Sequence, residues 1–281
     1  MTFIVTFIAL LIERFFDWSH LRQWRWYTAY QRMMMRRFSK WSSYVSLALT
    51  VVPLLIVIGI IEYSIDDWLY GFAKLLFELF IVLYCLGPQN LWADAFSCIN
   101  ALVQGDQTFA ADKLKRSFGI TDLSYSQSLH RHLLNDIFIE ANCRVFSVVF
   151  WYVILGPVGA VLYRTIILSS ADVSNEAPTP AFSQSARSVE AVLDWVPVRL
   201  FTFIFALGGH FVQVLSYWRR KVLFGLSSNE MLLTECGTAA LGSDDQNKIA
   251  EDGSAEKAAV SLLDRSFVIM LVIVAIIAWV S

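Results

Sequence analysis

The chain has 281 residues, of which 57% are hydrophobic and 16% charged, and its mean hydropathy of +0.55 exceeds that of ordinary soluble domains. Its formal net charge of −2 provides no basic field that could hold nucleic acid, so DNA and RNA are excluded as partners. The four cysteines are far apart and form no CxxC pair, which fits neither a disulfide framework nor a zinc site.

Apolar runs of bilayer-spanning length recur along the chain, so the sequence predicts an all-α, polytopic integral membrane helical bundle with a helical cytoplasmic insertion. The first run, residues 2–12, rises only about half the hydrocarbon thickness. We interpret it as an embedded half-span or a helix packed on the bundle. Residues 17–40 mix aromatic and basic side chains, which is typical of an interfacial helix on the cytoplasmic side.

Two membrane spans are predicted next, at residues 42–61 and 68–86, joined by a short acidic link that should face the periplasm. In the second span, Lys74 and Glu78 lie four residues apart, which fits either a structural ion pair or a functional carboxylate in the bundle interior. A transporter that uses Glu78 or His210 within the bilayer is one alternative, but no inverted repeat is found in the sequence.

Residues 90–139 are polar enough to form the helical insertion, which is expected in the cytoplasm. An apolar stripe at helical spacing predicts an amphipathic helix in its second half, capped by Asp122 or Ser124. The stripe consists of Tyr125, Leu129, Leu133, Leu134, Ile137 and Phe138.

Residues 145–167 are long enough to span a bilayer but are interrupted by Gly156 and Pro157. Either the span is kinked, which places residues 169–190 outside the cell, or two half-helices turn at Gly156 and return that segment to the cytoplasm. A further span is predicted at residues 197–217. The basic triplet at 219–221 favours a cytoplasmic exit and thereby the kinked span.

Residues 237–258 are polar and rich in Gly, Ser and Asp, so a flexible surface stretch is expected there. The chain is therefore divided into six segments. They are an N-terminal half-span and interfacial helix (1–41), two transmembrane helices (42–86), the cytoplasmic insertion (87–144), a broken or re-entrant helix with a loop and a transmembrane helix (145–217), a polar flexible segment (218–265) and a C-terminal transmembrane helix (266–281).

No phosphate-binding loop, nucleophile elbow or HExxH zinc helix is present, so candidate functional residues are sought at the membrane boundary. His132, Asp136 and Glu140 fall on one face of the amphipathic helix. They are weak candidates for a divalent-cation site that a substrate phosphate would complete. They are also explained as the solvated edge opposite the apolar stripe.

The run DWVPVRL at residues 194–200 contains a second set of candidates. Asp194 suits a helix N-cap and Pro197 suits a first helical turn, so a capped helix start at the interface explains both. Arg199 would then lie inside an apolar span and would need a carboxylate or phosphate partner. Arg164 either extends to the headgroups or converges with Asp194 and Arg199 in one pocket.

The pattern FW…GPxGAxLYR at residues 150–164, followed by DWVPVRL, resembles the membrane superfamily that joins AmpE-type regulatory proteins with the cobinamide-phosphate synthases (CobD/CbiB). The resemblance extends loosely from residues 9–14 to about Leu207. The residues that fit the AmpE-like pattern, and that become candidates for ligand binding, are Glu140, Asn142, Arg144, Tyr163, Arg164, Asp194 and Arg199.

The resemblance separates the two branches of this superfamily. The synthases join an amino-alcohol to a corrinoid carboxylate at the expense of ATP, and they have an ENTVDG signature just before the FW run. Residues 139–144 here read IEANCR, and the GRDT element of the synthases corresponds to GITD at residues 119–122. Because a metal and ATP site needs its oxygen ligands, the altered acidic positions favour a non-enzymatic protein. An ATP-dependent amide-forming ligase is the alternative.

The AmpE branch implies a multi-pass protein of the bacterial inner membrane, linked to a cell-wall amidase and to β-lactamase induction by muropeptides. We expect it to bind a small anionic ligand, a muropeptide or a nucleotide, in an interfacial pocket. Arg164 and Arg199 would pair with the anion, Asp194 would orient Arg199, and Glu140 would act as an acid or ligand. The sequence requires no cofactor, while a nucleotide with Mg²⁺ and a homo-oligomer are open alternatives.

Overall fold

The structure, a computed structural model, describes residues 2–15, 24–38, 41–65, 71–87, 90–118, 126–170, 180–222, 225–242 and 252–280, without side chains at 115–118, 126–128, 180 and 227. Helices dominate these ranges, and no strand occurs in them. The helices are α1 (Thr2–Phe15), α2 (Arg25–Arg37), α3 (Ser43–Ile65), α4 (Phe72–Cys85), α5 (Leu91–Val103), α6 (Gln107–Phe118), α7 (Ser126–Ala141), α8 (Ser147–Ser170), α9 (Pro180–Gly208), α10 (Phe211–Lys221), α11 (Asn229–Ala240) and α12 (Ser254–Val280). A π-helical turn, Asn142–Phe146, joins α7 to α8, and a 3₁₀ turn, Leu226–Ser228, precedes α11.

Within the described ranges, four helical stretches are long and apolar enough to cross a membrane. They are Ser43–Ile65, Leu129–Ser170, Ala181–Gly208 and Ser254–Val280. A helix satisfies its backbone hydrogen bonds internally, so such stretches are stable in a medium that contains no water. The predicted fold class, an all-α multi-pass membrane protein, is confirmed.

The chain separates into two compact units. Unit 1 contains residues 1–88 and 147–194, and unit 2 contains residues 89–146 and 195–281. In unit 1, α1 packs against α4 and α8 and buries Val5 completely. The structure therefore agrees with the second interpretation of the first apolar run, a helix packed on the bundle.

Helix α2 is the described part of the predicted interfacial helix, and some of its aromatic side chains are buried in unit 1. The Tyr27 side chain is fully buried, and its hydroxyl lies 2.7 Å from the Ser169 hydroxyl. The Trp24 ring donates a hydrogen bond to the Tyr84 carbonyl, while Met33 on the other side of α2 is exposed. These aromatic residues serve packing within the protein as well as contact with its surroundings.

The predicted span at residues 68–86 corresponds to α4, which has 14 residues. A helix of this length rises about 21 Å, which is less than the roughly 30 Å of a hydrocarbon core. Residues 66–70 lie outside the described ranges. The described helix is therefore shorter than the predicted span.

Helix α8 turns back on itself at Gly156, where φ is +65° and ψ is −157°, a conformation essentially restricted to glycine. Ser147 and Tyr163, on either side of Gly156, both donate a hydrogen bond to the same oxygen of Asp194, at 3.0 and 2.8 Å. A straight helix would separate residues sixteen positions apart by about 24 Å. The two arms must therefore meet at an acute angle, which agrees with the alternative of two half-helices rather than with a kinked span.

Unit 2 is organised around the predicted amphipathic helix, α7. The stripe residues Leu129, Leu133, Leu134, Ile137 and Phe138 are all buried, which confirms the predicted apolar face. They contact α5, α11 and α12. Tyr125 and the predicted caps lie outside the described residues.

Helix α9 is continuous from Pro180 to Gly208, which corrects the prediction of a helix start at Asp194. Pro197 lies in its interior, where it removes one backbone hydrogen bond and favours a bend. The predicted span at 197–217 is also divided, because α9 ends at Gly208 and α10 is a separate helix. A Cβ at Gly209 would lie 2.4 Å from the Ala240 carbonyl oxygen, so the connection requires glycine.

The segment 218–265, predicted to be polar and flexible, is largely helical where it is described. Leu232, Leu233 and Cys236 of α11 are buried, and their helical spacing explains an order that the overall polar composition concealed. Helix α12 begins at Ser254, so the C-terminal membrane helix is longer than the predicted segment 266–281. Residues 243–251 lie outside the described ranges.

Candidate functional site

Asp194 is the central polar residue of the candidates in unit 1. Its carboxylate is 7% exposed and accepts the hydrogen bonds of Ser147 and Tyr163, one from each arm of α8. Hydrogen bonds to a charged acceptor are stronger than neutral ones, so Asp194 fixes the arms relative to each other. The sequence had selected Tyr163 and Asp194 as candidates but gave Asp194 the role of a helix cap, and it did not select Ser147.

Arg164 and Glu78 of unit 1 are also buried. Arg164, next to Tyr163, is only 3% exposed, so it does not extend to the surface of the unit. Glu78 on α4 accepts a hydrogen bond of 2.6 Å from the Tyr152 hydroxyl on the first arm of α8. A buried carboxylate needs such a donor. Of the two sequence-based alternatives for Glu78, the structure shows an interior carboxylate with a specific partner.

A network of ion pairs joins α5, α6, α7 and the π-helical turn in unit 2. It consists of Lys113, Asp94, Arg144 and Glu140, and we call it the ion-pair network. Asp94 lies 2.9 Å from the Lys113 ammonium and 3.5 Å from the Arg144 guanidinium. Arg144 in turn donates from Nε to Glu140 at 2.5 Å. Sequence reasoning selected Glu140 and Arg144 but missed Asp94, because the packing of α5 on α7 was not visible in the pattern.

Capping side chains fix the first turns of α5 and α6, the two helices that contribute Asp94 and Lys113 to the ion-pair network. The Asn90 side chain accepts hydrogen bonds from the Trp92 and Ala93 amides and caps α5, so Asp94 lies in the first turn, where the helix dipole favours an acid. Asp106 precedes α6, and its carboxylate accepts from the Phe109 amide and the Thr108 hydroxyl. These bonds lower the pKa of Asp106 below its ordinary value. The cap therefore contributes above the ordinary carboxyl pKa and is lost as the pH falls through the lowered one.

The π-helical turn places two of the candidates. Asn142 is fully buried and Arg144 is 6% exposed. Single π-helical turns within α-helices are frequent at functional sites, because they redirect side chains away from the regular helical positions. The carboxylates of Glu140 and Asp94 lie next to the buried Arg144 guanidinium and stabilise its positive charge.

Arg199 is held by neutral oxygen acceptors in unit 2. It donates to the carbonyls of Val222 and Trp195, each at 2.7 Å, and to the Asn229 side-chain oxygen at 2.9 Å. Its guanidinium carbon also lies 4.2 Å from the Trp195 ring centroid, a cation–π contact. Carbonyl and amide oxygens thus satisfy part of the donor capacity of Arg199, and the expectation of a carboxylate or phosphate partner stays a prediction.

Sequence reasoning gave no signal for a buried pair in unit 2, His130 of α7 and Glu256 of α12. His130 Nδ1 lies 2.6 Å from Glu256 Oε1, and the two side chains are 4% and 0% exposed. Among the described residues, the second carboxylate oxygen of Glu256 has no hydrogen-bond partner. The pair joins α7 to the first turn of α12.

The structure does not bring the three metal candidates together. The ligand atoms of His132, Asp136 and Glu140 do not all lie within 4.8 Å of one another, and Glu140 binds Arg144. Side chains four residues apart on one helix face are separated by a turn, which a second helix would have to bridge.

The seven ligand candidates fall into both units. Tyr163, Arg164 and Asp194 belong to unit 1, whereas Glu140, Asn142, Arg144 and Arg199 belong to unit 2. Tyr163 contacts Asp194, and Glu140 contacts Arg144. The expected convergence of Arg164, Arg199, Asp194 and Glu140 in one pocket involves both units and stays a prediction.

Comparison with known families adds a match over almost the whole chain. The family model described as "Regulatory signalling modulator protein AmpE" matches residues 1–280. The chain belongs to this family. The resemblance drawn from residues 150–164 and 194–200 is thereby confirmed.

Individual relatives of this AmpE-family chain come from both branches of the superfamily. It is 23% identical to Protein AmpE of Shigella flexneri over 285 residues, which cover 98% of the chain and 97% of that protein. It is 26% identical to the Cobalamin biosynthesis protein CobD of Stutzerimonas stutzeri over 170 residues, which cover 59% of the chain and 55% of that protein. The CobD protein of Chromobacterium violaceum is 26% identical over 160 residues, covering 56% and 51%.

The AmpE-family chain spans about half the length of the CobD proteins that it matches, but nearly the full length of the Shigella AmpE protein. No solved structure matches it. The AmpE branch is therefore the one to which the chain corresponds from end to end.

Proposed function

We propose that this AmpE-family chain is a regulatory protein of the bacterial inner membrane that takes part in β-lactamase induction and cell-wall recycling. The observation that carries the proposal is the family match over residues 1–280, whose description names a regulatory signalling modulator. The membrane-capable helices support the membrane location, and the altered acidic positions of the synthase motifs support a regulatory role over a catalytic one.

We further propose that the chain binds a small anionic ligand, a muropeptide or a nucleotide, at the ion-pair network. The ends of the network are accessible, since the Lys113 side chain is 30% exposed and that of Glu140 is 24% exposed. Asp94 and Arg144 in its middle are 7% exposed. An incoming anion can thus take the place of Asp94 on Lys113, and the buried Asp94 carboxylate then keeps Arg144 as its cationic partner.

Such an exchange gives binding a structural consequence. Lys113 is on α6 and Asp94 is on α5, so an anion on Lys113 weakens the link between these two helices. A ligand regulates a protein only when it binds two conformations unequally. A ligand that competes with an internal carboxylate for one cation meets this condition.

The test is Lys113→Gln, which keeps a polar side chain of similar length but removes the positive charge. In a strain that depends on this chain for regulation, induced β-lactamase activity should change to the level of a strain that lacks the chain. Lys257→Gln, which removes an exposed lysine on α12 of the same unit, should leave induction unchanged. Both variants are compared at equal membrane levels, measured by immunoblot.

Ligand binding is measured on the purified full chain in detergent micelles. Muropeptides, and separately ATP with Mg²⁺, should raise the thermal unfolding midpoint of the Lys257→Gln protein but not of Lys113→Gln. Normal induction by Lys113→Gln at wild-type membrane levels would contradict the assigned site. A shift retained in Lys113→Gln would also place the ligand elsewhere.

The CobD matches favour a second candidate, an ATP-dependent amide-forming ligase of the cobalamin pathway. The regulatory and the ligase candidates are distinguished by expressing the chain in a bacterial strain that lacks cobinamide-phosphate synthase and therefore needs an added corrinoid. Growth without the corrinoid would establish the ligase. No growth, with the chain present in the membrane, would reject it.

A further inference from the structure

A groove on the surface of unit 2 lies between α9 and α12. It has a volume of about 420 Å³ and is lined by Leu207, Gly208, Asp264, Arg265, Val268 and Ile269. The Leu207 and Val268 side chains are 51% and 61% exposed, and Gly208 contributes no side chain to fill the space. Both helices belong to the stretches that are long and apolar enough to cross a membrane, so exposed apolar side chains of this groove are suited to contact acyl chains.

Arg265 lies at the boundary between the polar and the apolar part of α12. The fifteen residues that follow it, 266–280, contain no charged side chain. In the part of the chain that the structure describes, its guanidinium makes one hydrogen bond, from Nε to the Ser261 carbonyl at 3.3 Å. A cation in this position is costly unless it meets an anion or a headgroup.

The neighbouring carboxylate is directed to another helix. Asp264 accepts a hydrogen bond of 2.8 Å from the Trp92 ring on α5. This hydrogen bond draws the Asp264 carboxylate toward α5. Arg265, whose side chain is exposed, is therefore the cation at one end of an otherwise largely apolar groove.

We propose that this groove binds one anionic phospholipid. One acyl chain lies along Leu207, Val268 and Ile269, and the phosphate accepts hydrogen bonds from the Arg265 guanidinium. Lipid tails are as apolar as these side chains, so preference for this site comes from close packing and from the charge-assisted contact rather than from the hydrophobic effect. The volume is within the roughly 300–1,000 Å³ of small-molecule sites.

The experiment counts lipids on the full chain, purified in detergent and supplied with phosphatidylglycerol, by native mass spectrometry. The wild type should retain one phosphatidylglycerol. Arg265→Gln should weaken this binding roughly tenfold, because it removes the charge-assisted contact. Lys257→Gln, on the same helix two turns earlier, should bind as the wild type does.

Tryptophan substitutions in and beside the groove test the contribution of the acyl chain to lipid binding separately from that of the headgroup. Val268→Trp should abolish retention, whereas Val272→Trp, one turn further along α12 and 53% exposed, should retain the lipid. Inorganic phosphate at millimolar concentration should not compete, since it lacks the acyl chain. Equal retention by the two tryptophan variants, an unaffected Arg265→Gln protein, or competition by inorganic phosphate would each overturn the proposal.

Discussion

At the scale of single residues, several buried carboxylates of this protein have specific hydrogen-bond partners. Asp194 accepts two hydroxyl hydrogen bonds, Glu78 accepts one from Tyr152, and Glu256 lies against His130. Burial of an unpaired polar group costs more than a formed hydrogen bond returns. Loss of one partner of such a pair is therefore expected to destabilise the protein chiefly because the other partner stays buried without a hydrogen bond.

Asp194→Ala should lower the free energy of unfolding, because it leaves the Ser147 and Tyr163 hydroxyls buried without their acceptor. The expected cost is about 1–3 kcal/mol for each hydroxyl. Asp194→Asn keeps an oxygen acceptor at the same place and should lose distinctly less. The measurement is thermal unfolding of the purified chain in detergent, and equal midpoints for the two variants would show that these hydrogen bonds contribute little.

At the scale of elements, the break in α8 has a backbone cause. Gly156 has a φ of +65°, and the second arm packs so closely on the first that a Cβ at Gly159 would lie 2.2 Å from the Trp151 carbonyl oxygen. Proline at 157 removes a donor but does not by itself reverse a chain. The reversal therefore depends on glycine at both 156 and 159.

Gly156→Ala should destabilise the chain by roughly 1–3 kcal/mol, the usual cost of a non-glycine residue in this backbone region. The added Cβ would also lie 3.4 Å from a Glu62 carboxylate oxygen. Gly59→Ala is the matched control, because Gly59 lies inside the regular helix α3. Its added Cβ would make only an ordinary 3.9 Å contact with Val158 of α8. Gly59→Ala should be neutral or stabilising. The measurement is the thermal unfolding midpoint of each variant. Equal shifts of the midpoint in Gly156→Ala and Gly59→Ala would contradict a reversal at Gly156.

At the scale of the whole molecule, the sequence alternatives for residues 145–167 differ in topology. A kinked span places residue 174 outside the cell, and two half-helices that turn back place it in the cytoplasm. Residue 174 itself lies outside the described ranges. The convergence of Ser147 and Tyr163 on Asp194 supports the second arrangement.

Cysteine labelling in whole cells tests this topology. In a Cys143→Ser background, a membrane-impermeant maleimide should leave Ser174→Cys unlabelled until the cells are permeabilised. Tyr63→Cys, at an 86% exposed position near the end of α3, should react from outside, because the acidic link is expected in the periplasm. Labelling of position 174 in intact cells would contradict the re-entrant arrangement of residues 145–167.

The sequence by itself determined the solvent, the helical class and the family of this protein. The apolar run at residues 42–61 is long enough to span a bilayer, and the spacing of the apolar stripe on α7 indicates its buried face, since both signals are local. The residues 150–164 and 194–200 sufficed for the family. These properties do not depend on which helices pack together.

Only the tertiary structure decided where the polar side chains find their partners. Asp94 meets Arg144 fifty residues away, His130 meets Glu256 across 126 residues, and Asp194 binds α8 from within α9 rather than capping a helix. Local pattern assigned Asp194 and Pro197 to a helix start because both residue types favour that position. The helix is nevertheless continuous through Pro197, and contacts between distant segments are set by packing that no local spacing encodes.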